Sequence, residues 1–246
     1  MSEINSILIL FGVGLIAGFI NVNAGGGSSL TLPTLIFLGL DSALANGTNR
    51  VSLIIQNISA IQSFKKEDYH QFNTSLRLSL FTLPGAIAGA ILAVKIDDLL
   101  FQKILGVVMI GIVLSIVFHK KNINFNNKGV ITWVGYLSMF GIGFYGGFIQ
   151  VGVGFLLMAS LNYLMKFNLV VTNMHKVFIV FIYTIPAVLI FAITDNVNWV
   201  FGLSLGIGSA LGGWWGAKFS AKKGEKFIRF ILITAILIMA VKMFGF

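Results

Sequence analysis

Apolar segments with few charged residues follow one another along the whole 246-residue chain, and short polar loops separate them. The first runs from Ile4 to Ile20 without a charge. Charged residues make up only 10% of the chain, whereas a soluble domain usually carries about 25%. A water-soluble fold could not bury so much apolar surface, so we expect lipid to be the solvent. Because the backbone in lipid must satisfy its own hydrogen bonds, these segments are predicted to be helices.

The sequence predicts an all-α polytopic membrane protein in which ten helical segments form about 8–10 spans. A full span needs about 20 residues, and segments 28–40, 51–64 and 153–165 are shorter than that. We interpret these three as half-helices or as arms of re-entrant hairpins, so broken helices are expected. The other predicted segments are 4–22, 73–94, 98–118, 129–150, 177–193, 198–217 and 226–244.

The two halves of the chain, 1–122 and 123–246, are predicted to be transmembrane repeats of about five segments each. The motif GFI at 18–20 recurs at 147–149. Further matches in the same order are Asn21 with Gln150, Gly25 with Gly152, Gly27 with Gly154, Asn49 with Asn173, and Gly85 with Gly208. The conserved order of these matches within one chain indicates an internal duplication.

An odd number of segments in each repeat inverts the second repeat relative to the first. The loops agree with this inversion, because 65–72 is basic while its partner, 194–197, contains no lysine or arginine. Most of the 17 lysine and arginine residues collect on one side of the predicted spans, and positive loops stay in the cytoplasm. We therefore predict a multi-pass protein with both termini outside. Inverted repeats with broken helices are typical of secondary transporters with a mid-membrane site.

Three consecutive glycines interrupt the first repeat in the stretch NVNAGGGSSLTLP, at 21–33. An unwound, glycine-rich backbone exposes amides that can cup an anion, and the next helix adds the positive end of its dipole. The second copy, at 150–154, is predicted to face the first, so that the pair binds a small anion at mid-membrane. Alternatively, the glycines only form a turn or allow tight helix packing. The predicted substrate-binding residues are Asn21, Gly25, Gly26, Gly27, Ser28, Asn49, Arg50, Gln150, Gly152, Gly154 and Asn173.

The element ANGTNR opens the third predicted segment, and Thr48 or Asn49 is predicted to be its N-cap. This places Arg50 in the first helical turn, as an anion contact, as a gate on the outward side, or as a snorkelling interfacial arginine. The counterpart TNMHK in the second repeat is predicted to place His175 and Lys176 on the cytoplasmic side. There His175 either titrates near neutral pH or is only interfacial.

All eight acidic residues fall in loops or at the ends of predicted segments. An embedded carboxylate is the usual handle for protons or sodium, so the sequence disfavours a cationic substrate. The three histidines lack the spacing of metal ligands, and no phosphate-binding lysine follows the glycines. With no nucleophile–base cluster either, we expect no enzymatic activity, no metal and no cofactor. The net charge of +9 resides in short loops and indicates membrane topology rather than nucleic-acid binding.

The stretch GFINVNAGGGSSLTLPTLIFLGLDSALANGTNR resembles the signature of the TauE/SafE sulfite exporter group. That group carries a glycine-rich run, a following proline and then an Ala-x-Gly-Thr-Asn element, which is matched here at 45–49. The second copy, GFYGGFIQVGVGFLLMASL, also fits, but Ala159 and Ser160 stand where the proline would be. The resemblance implies a transporter of sulfite, sulfonates or related sulfur anions in the cell inner membrane.

Together, the residues and the resemblance predict a secondary transporter or facilitator of a small oxyanion that works by alternating access. The expected partners are the lipid bilayer and an anionic substrate of the sulfite, sulfonate or thiosulfate class. Pairs of glycines at GxxxG spacing allow a homodimer without requiring one. The alternative that the sequence leaves open is an anion channel, because no embedded carboxylate is available to couple transport to a cation.

Overall fold

The structure, a computed structural model, describes residues 3–117 and 129–243. These residues form helices joined by short turns and contain no β-strand, which confirms the predicted all-α class. The helices are α1 (Glu3–Ala24), α2 (Ser28–Phe37), α3 (Ser42–Lys66), α4 (Phe72–Lys95), α5 (Asp98–Val117), α6 (Trp133–Phe148), α7 (Val153–Ala159), α8 (Leu169–Ile193) and α9 (Trp199–Met243). A π-helical turn, Ser160–Leu164, continues α7. The predicted boundary between the repeats, at 122–123, lies outside the described residues.

Large apolar side chains cover the outside of the protein, and polar side chains lie within it. The exposed fraction is 85% for Phe37, 76% for Trp133 and 80% for Ile193. Arg50 and Lys176, by contrast, are buried. This distribution suits a chain whose solvent is lipid, and α1, α4 and α8 are long and apolar enough to cross a membrane. The chain is therefore a polytopic membrane protein.

Short helices follow both glycine-rich interruptions, as the sequence predicts. The helix α2 has 10 residues, and α7 has 7 before its π-helical turn. A glycine with positive φ precedes each of them, Gly25 at 82° and Gly152 at 74°. Glycine adopts this left-handed conformation readily; Gly25 follows the end of α1, and Gly152 is the N-cap residue of α7. The predicted broken helices are thus present, and their re-entry into the membrane stays a prediction.

The third predicted segment is longer than expected. The helix α3 has 25 residues and begins at Ser42, after an N-cap at Asp41. The predicted N-cap at Thr48 or Asn49 is therefore wrong, and Arg50 lies in the third turn rather than in the first. The polar residues that predict a helix end are instead buried inside the helix, where neighbouring helices supply their partners.

Two boundaries in the second half also differ from the prediction. The helix α8 begins at Leu169 rather than at 177, and Asn168 caps it by accepting a hydrogen bond from the Val171 amide at 2.9 Å. The helix α9 continues through 218–226, where the sequence predicts a loop. Its backbone departs from helical geometry at Gly224, with φ 69° and ψ −161°. The two predicted segments are thus two helices that meet at Gly224 without a loop between them.

Glycines bring α1 against α9 and α4 against α6. Gly14 and Gly208 lie so close to the opposite helix that a Cβ on either would collide with a backbone carbonyl. Gly89 and Gly147 make the same kind of contact between α4 and α6. These glycines therefore allow close helix packing. Each contact joins a helix of the first half to one of the second, so the halves interleave, while their inverted relation stays a prediction.

Candidate functional site

The two glycine interruptions meet in the buried interior. Gly25 follows α1, and Gly154 lies in the first turn of α7. A Cβ on Gly25 would collide with the backbone of Gly154, and a Cβ on Gly154 would collide with the backbone of Gly25. Two chain segments can approach this closely only where neither residue has a side chain. The helix breaks that the sequence pairs between the repeats are thus in direct contact.

A small cavity lies beside this contact, and residues from both halves of the chain line it. Its volume is about 10 Å³, which is room for about one water molecule. The lining residues are Asn21, Asn57, Gln150, Val153, Gly154, Lys176, Val177 and Val180. The cavity thus combines one cation with three side-chain amides, and no carboxylate lines it.

Lys176 brings the cation to the cavity wall from within α8. The residue is 2% exposed. Its Nζ donates to the Val22 carbonyl oxygen at 2.7 Å and to Asn173 Oδ1 at 2.8 Å. Val22 lies in the last turn of α1, where carbonyls lack intrahelical partners and the helix dipole favours a cation. An ammonium has three N–H donors. Lys176 can therefore donate to Val22 and Asn173 and still have one N–H for a group in the cavity.

Buried amide groups surround the lysine, and some of their donors have no partner among the described residues. Asn57 is 1% exposed, and its Nδ2 is unpaired. Asn21 Nδ2 donates to Gln56 Oε1 at 3.3 Å. Gln150 Oε1 accepts a hydrogen bond from the Tyr183 hydroxyl at 3.0 Å. Because buried donors are nearly always bonded, the unpaired Nδ2 of Asn57 at the cavity wall suits a hydrogen-bond acceptor.

A second buried cation, Arg50, closes the end of the other broken helix. Its Nη1 donates to the Gly146 carbonyl at 3.0 Å, and its Nη2 donates to the Gly147 carbonyl at 2.6 Å. Both carbonyls belong to the last turn of α6. The guanidinium carbon also lies 4.9 Å from the centroid of the Phe191 ring. Arg50 on α3 thus donates to carbonyls at the end of α6, as Lys176 on α8 donates to a carbonyl at the end of α1. Each contact joins the two halves of the chain.

This placement corrects one interpretation of Arg50. The residue is 0% exposed, so it is not a snorkelling interfacial arginine, while a role as a gate on the outward side stays a prediction. It does not line the cavity either. The sequence misplaces Arg50 because its helix begins earlier than predicted, which moves the residue from the helix end into the protein interior.

The predicted helix start after His175 and Lys176 is also wrong, because both residues are buried within α8. His175 is therefore not interfacial, while the side of the membrane that these two residues face stays a prediction. His175 Nδ1 lies 2.7 Å from Ser75 Oγ, and its ring lies 4.6 Å from the Phe167 ring. Lys176 therefore lines the cavity and does not belong to a basic loop, and the predicted topology stays a prediction.

The family model described as "Sulfite exporter TauE/SafE" matches residues 10–243 of the chain. The chain belongs to this family. A relative described as "Probable membrane transporter protein" from Haemophilus influenzae is 29% identical over 242 residues, which cover 98% of this chain and 95% of the relative. The "Probable membrane transporter protein YfcA" of Escherichia coli K12 is 27% identical, covering 96% of this chain and 88% of the relative. No solved structure matches. This TauE/SafE chain is thus a membrane transport protein.

Three predicted binding residues of the TauE/SafE chain line the cavity, namely Asn21, Gln150 and Gly154. Gly25 contacts Gly154, and Asn173 accepts a hydrogen bond from the cavity lysine. The other predicted residues do not line the cavity. They are Gly26, Gly27, Ser28, Asn49, Arg50 and Gly152. The binding role of the whole set stays a prediction.

Several of these outer residues hold α2 in place. Asn49 Oδ1 accepts a hydrogen bond from Thr31 Oγ1 at 2.7 Å, and the Gly26 carbonyl accepts one from Ser29 Oγ at 2.6 Å. Gly27 is the N-cap residue of α2 and supplies no side-chain cap. Ser28, the first residue of that helix, is 3% exposed. The predicted helix start at Ser28 is thus correct.

Sequence reasoning missed five residues of the cavity wall in this TauE/SafE protein. They are Asn57, Val153, Lys176, Val177 and Val180. A signal for Asn57 exists, since Gln56 and Asn57 form an amide pair inside the mostly apolar stretch VSLIIQNISAI. Lys176 was not recognised because the helix was predicted to start at 177. The three valines carry no signal, because apolar residues occupy most positions of α7 and α8.

Proposed function

We propose that this TauE/SafE protein is a secondary transporter or facilitator of a small oxyanion, and that the cavity beside Gly25 and Gly154 is its binding site. Sulfite or an organosulfonate is the proposed substrate. The observation that carries the proposal is Lys176, a buried cation at the wall of a cavity that lacks a carboxylate. An anion with several acceptor oxygens complements that lysine and the unpaired amide donors beside it.

Charge balance in the interior supports an anionic substrate. Among the described residues, the buried charged side chains are Arg50 and Lys176, and no aspartate or glutamate is buried. Removing a cation from water has a large free-energy cost that a nearby opposite charge offsets. Helix carbonyls offset part of that cost at both residues, and a bound anion would offset more at Lys176. A cationic substrate would instead meet a positive site.

The size of the cavity supports transport by alternating access. Room for one water molecule is too small for a sulfur oxyanion, so substrate binding requires the helices around the cavity to separate. The breaks in the helices can act as hinges for this separation, because the backbone is not helical at Gly25 and at Gly152. The proposed cycle opens the cavity to one side of the membrane at a time. Further parts of the proposal are an inner-membrane location, inverted repeats and both termini outside the cytoplasm.

Flux measurements on the purified protein in liposomes test this proposal. We expect labelled sulfite uptake that saturates with concentration and that is stimulated by unlabelled sulfite on the opposite side. Thiosulfate and sulfoacetate should compete if they share the site, whereas chloride should compete weakly because it accepts fewer hydrogen bonds in a fixed geometry. Counterflow is the property that an alternating-access carrier has and an open pore lacks.

The same experiment separates the carrier from the anion channel, which is the other candidate for a site without a carboxylate. Single-channel currents and non-saturating flux would contradict the carrier and favour the channel. Absence of both flux and binding for all the sulfur anions would contradict the proposed substrate class. Protein-free liposomes provide the background.

A further inference from the structure

A groove on the outer face of α9 lies apart from the cavity described above. Its volume is about 390 Å³, and it is lined by Trp215, Lys218, Phe219, Lys222 and Lys223. Residues at these spacings share one face of a helix, and they precede the bend at Gly224. Trp215 is 48% exposed and Phe219 is 39% exposed. The groove therefore has an aromatic part towards the middle of α9 and a cationic part next to the bend.

Aromatic rings fix one of these lysines in place. Lys223 Nζ lies 5.1 Å from the centroid of the Phe219 ring and 5.4 Å from that of Phe227. A cation over a ring face is held by the quadrupole of the ring without a neutralising carboxylate. Phe19 of α1 packs edge-on against Phe219, with centroids 6.1 Å apart. The lysine is thus ordered by packing that leaves its positive charge unneutralised.

The groove has more positive charge than its surroundings neutralise. Among the described side chains, the ion pair of this region joins Lys222 Nζ to a Glu67 carboxylate oxygen 3.6 Å away. No carboxylate of a described side chain lines the groove itself. The positive charges of Lys218 and Lys223 are therefore available to an anion.

We propose that this groove binds an anionic phospholipid. Its phosphate would lie among Lys218, Lys222 and Lys223, and its acyl chains would pack along Phe219 and Trp215. Aromatic side chains of membrane proteins concentrate at the level of the headgroups, and basic pockets beside apolar spans bind phosphate headgroups. An anionic phospholipid fits both parts of the groove, because its phosphate is attracted to the lysines and its acyl chains can pack against the exposed aromatic rings. The proposal does not depend on the identity of the transported substrate.

Native mass spectrometry of the full chain in detergent tests this inference. Samples contain either phosphatidylglycerol or phosphatidylcholine with identical acyl chains. We expect at least about tenfold more bound phosphatidylglycerol, because each lysine near a lipid headgroup favours the anionic lipid roughly fivefold. The variant Lys218→Gln/Lys222→Gln/Lys223→Gln should lose this preference. The matched control Lys95→Gln/Lys103→Gln/Lys166→Gln removes the same charge from other exposed positions and should keep it.

Two outcomes would overturn the lipid proposal. The first is equal binding of both lipids, or undiminished phosphatidylglycerol binding by the groove variant. The second is displacement of the lipid by inorganic phosphate at an equal concentration, which would show a simple anion site. The single variant Lys223→Gln, measured in the same way, gives the answer if the triple variant does not fold.

Discussion

Lys176→Met is expected to reduce sulfite binding about 100-fold or more and to abolish uptake into liposomes. The substitution removes the one charge that lines the cavity. Loss of one partner from a buried charge pair costs about 3–5 kcal/mol, and each 1.4 kcal/mol is a tenfold change in affinity. Methionine has nearly the same length as lysine, so the cavity should keep its shape. Equilibrium binding in detergent and labelled uptake provide the two measurements.

Folding of the Lys176→Met variant should be close to that of the wild type. The variant loses hydrogen bonds to Val22 and Asn173, at about 1.5–3 kcal/mol each because the donor is charged. It also no longer buries a charge, and replacing buried charges by apolar groups is often neutral or stabilising. We therefore expect a small change in the melting temperature together with a complete loss of transport. This combination separates a binding role from a structural one.

Lys103→Met is the matched control, because Lys103 is exposed on α5. It should bind and transport like the wild type. Lys176→Arg keeps the charge but adds volume, and it should retain more binding than Lys176→Met. Wild-type uptake by Lys176→Met would show that the cavity is not the binding site, whatever the substrate.

Gly25→Ala and Gly154→Ala are expected to destabilise the protein and to impair transport, with the larger effect at Gly25. At both positions the new Cβ would collide with backbone atoms of the other glycine. Backbone cannot rotate away as a side chain can, so the two segments must move apart, which typically costs about 1–3 kcal/mol. Gly25 has φ of 82°, and this left-handed conformation adds about 1–2 kcal/mol for alanine. Thermal unfolding in detergent measures the effect.

Gly12→Ala and Gly141→Ala are the controls for this pair. A Cβ at either position meets nothing within 4 Å, and both glycines lie inside helices. Alanine should therefore stabilise those helices by about 0.5–1 kcal/mol. Equal stability changes at Gly12 and Gly154 would contradict the close contact between the two helix breaks.

Much of the helical architecture could be predicted from the sequence, because lipid forces apolar segments to satisfy their backbone groups as helices. The short helices α2 and α7 were predictable too, since glycine runs mark where the longer helices break. The starts of α3 and α8 were not. Their polar residues resemble a helix end in sequence, and only the folded protein shows that other helices satisfy them.

The site was partly predictable for a related reason. Asn21, Gln150 and Gly154 belong to the duplicated glycine motif, so the sequence indicates them directly. Lys176 has no such local signal. Its partner is the carbonyl of Val22, which is 154 positions away along the chain, and a contact at that separation depends on how the helices pack.

The two buried cations have a consequence for the energy that drives transport. An anion that crosses without a coupled proton or sodium ion moves net charge. A membrane potential of 100 mV acts on one elementary charge with about 2.3 kcal/mol, or roughly a fiftyfold concentration ratio. In a cell with a negative interior, that voltage would drive the anion outward. Sulfite efflux from liposomes would then follow the sign of an imposed potassium diffusion potential.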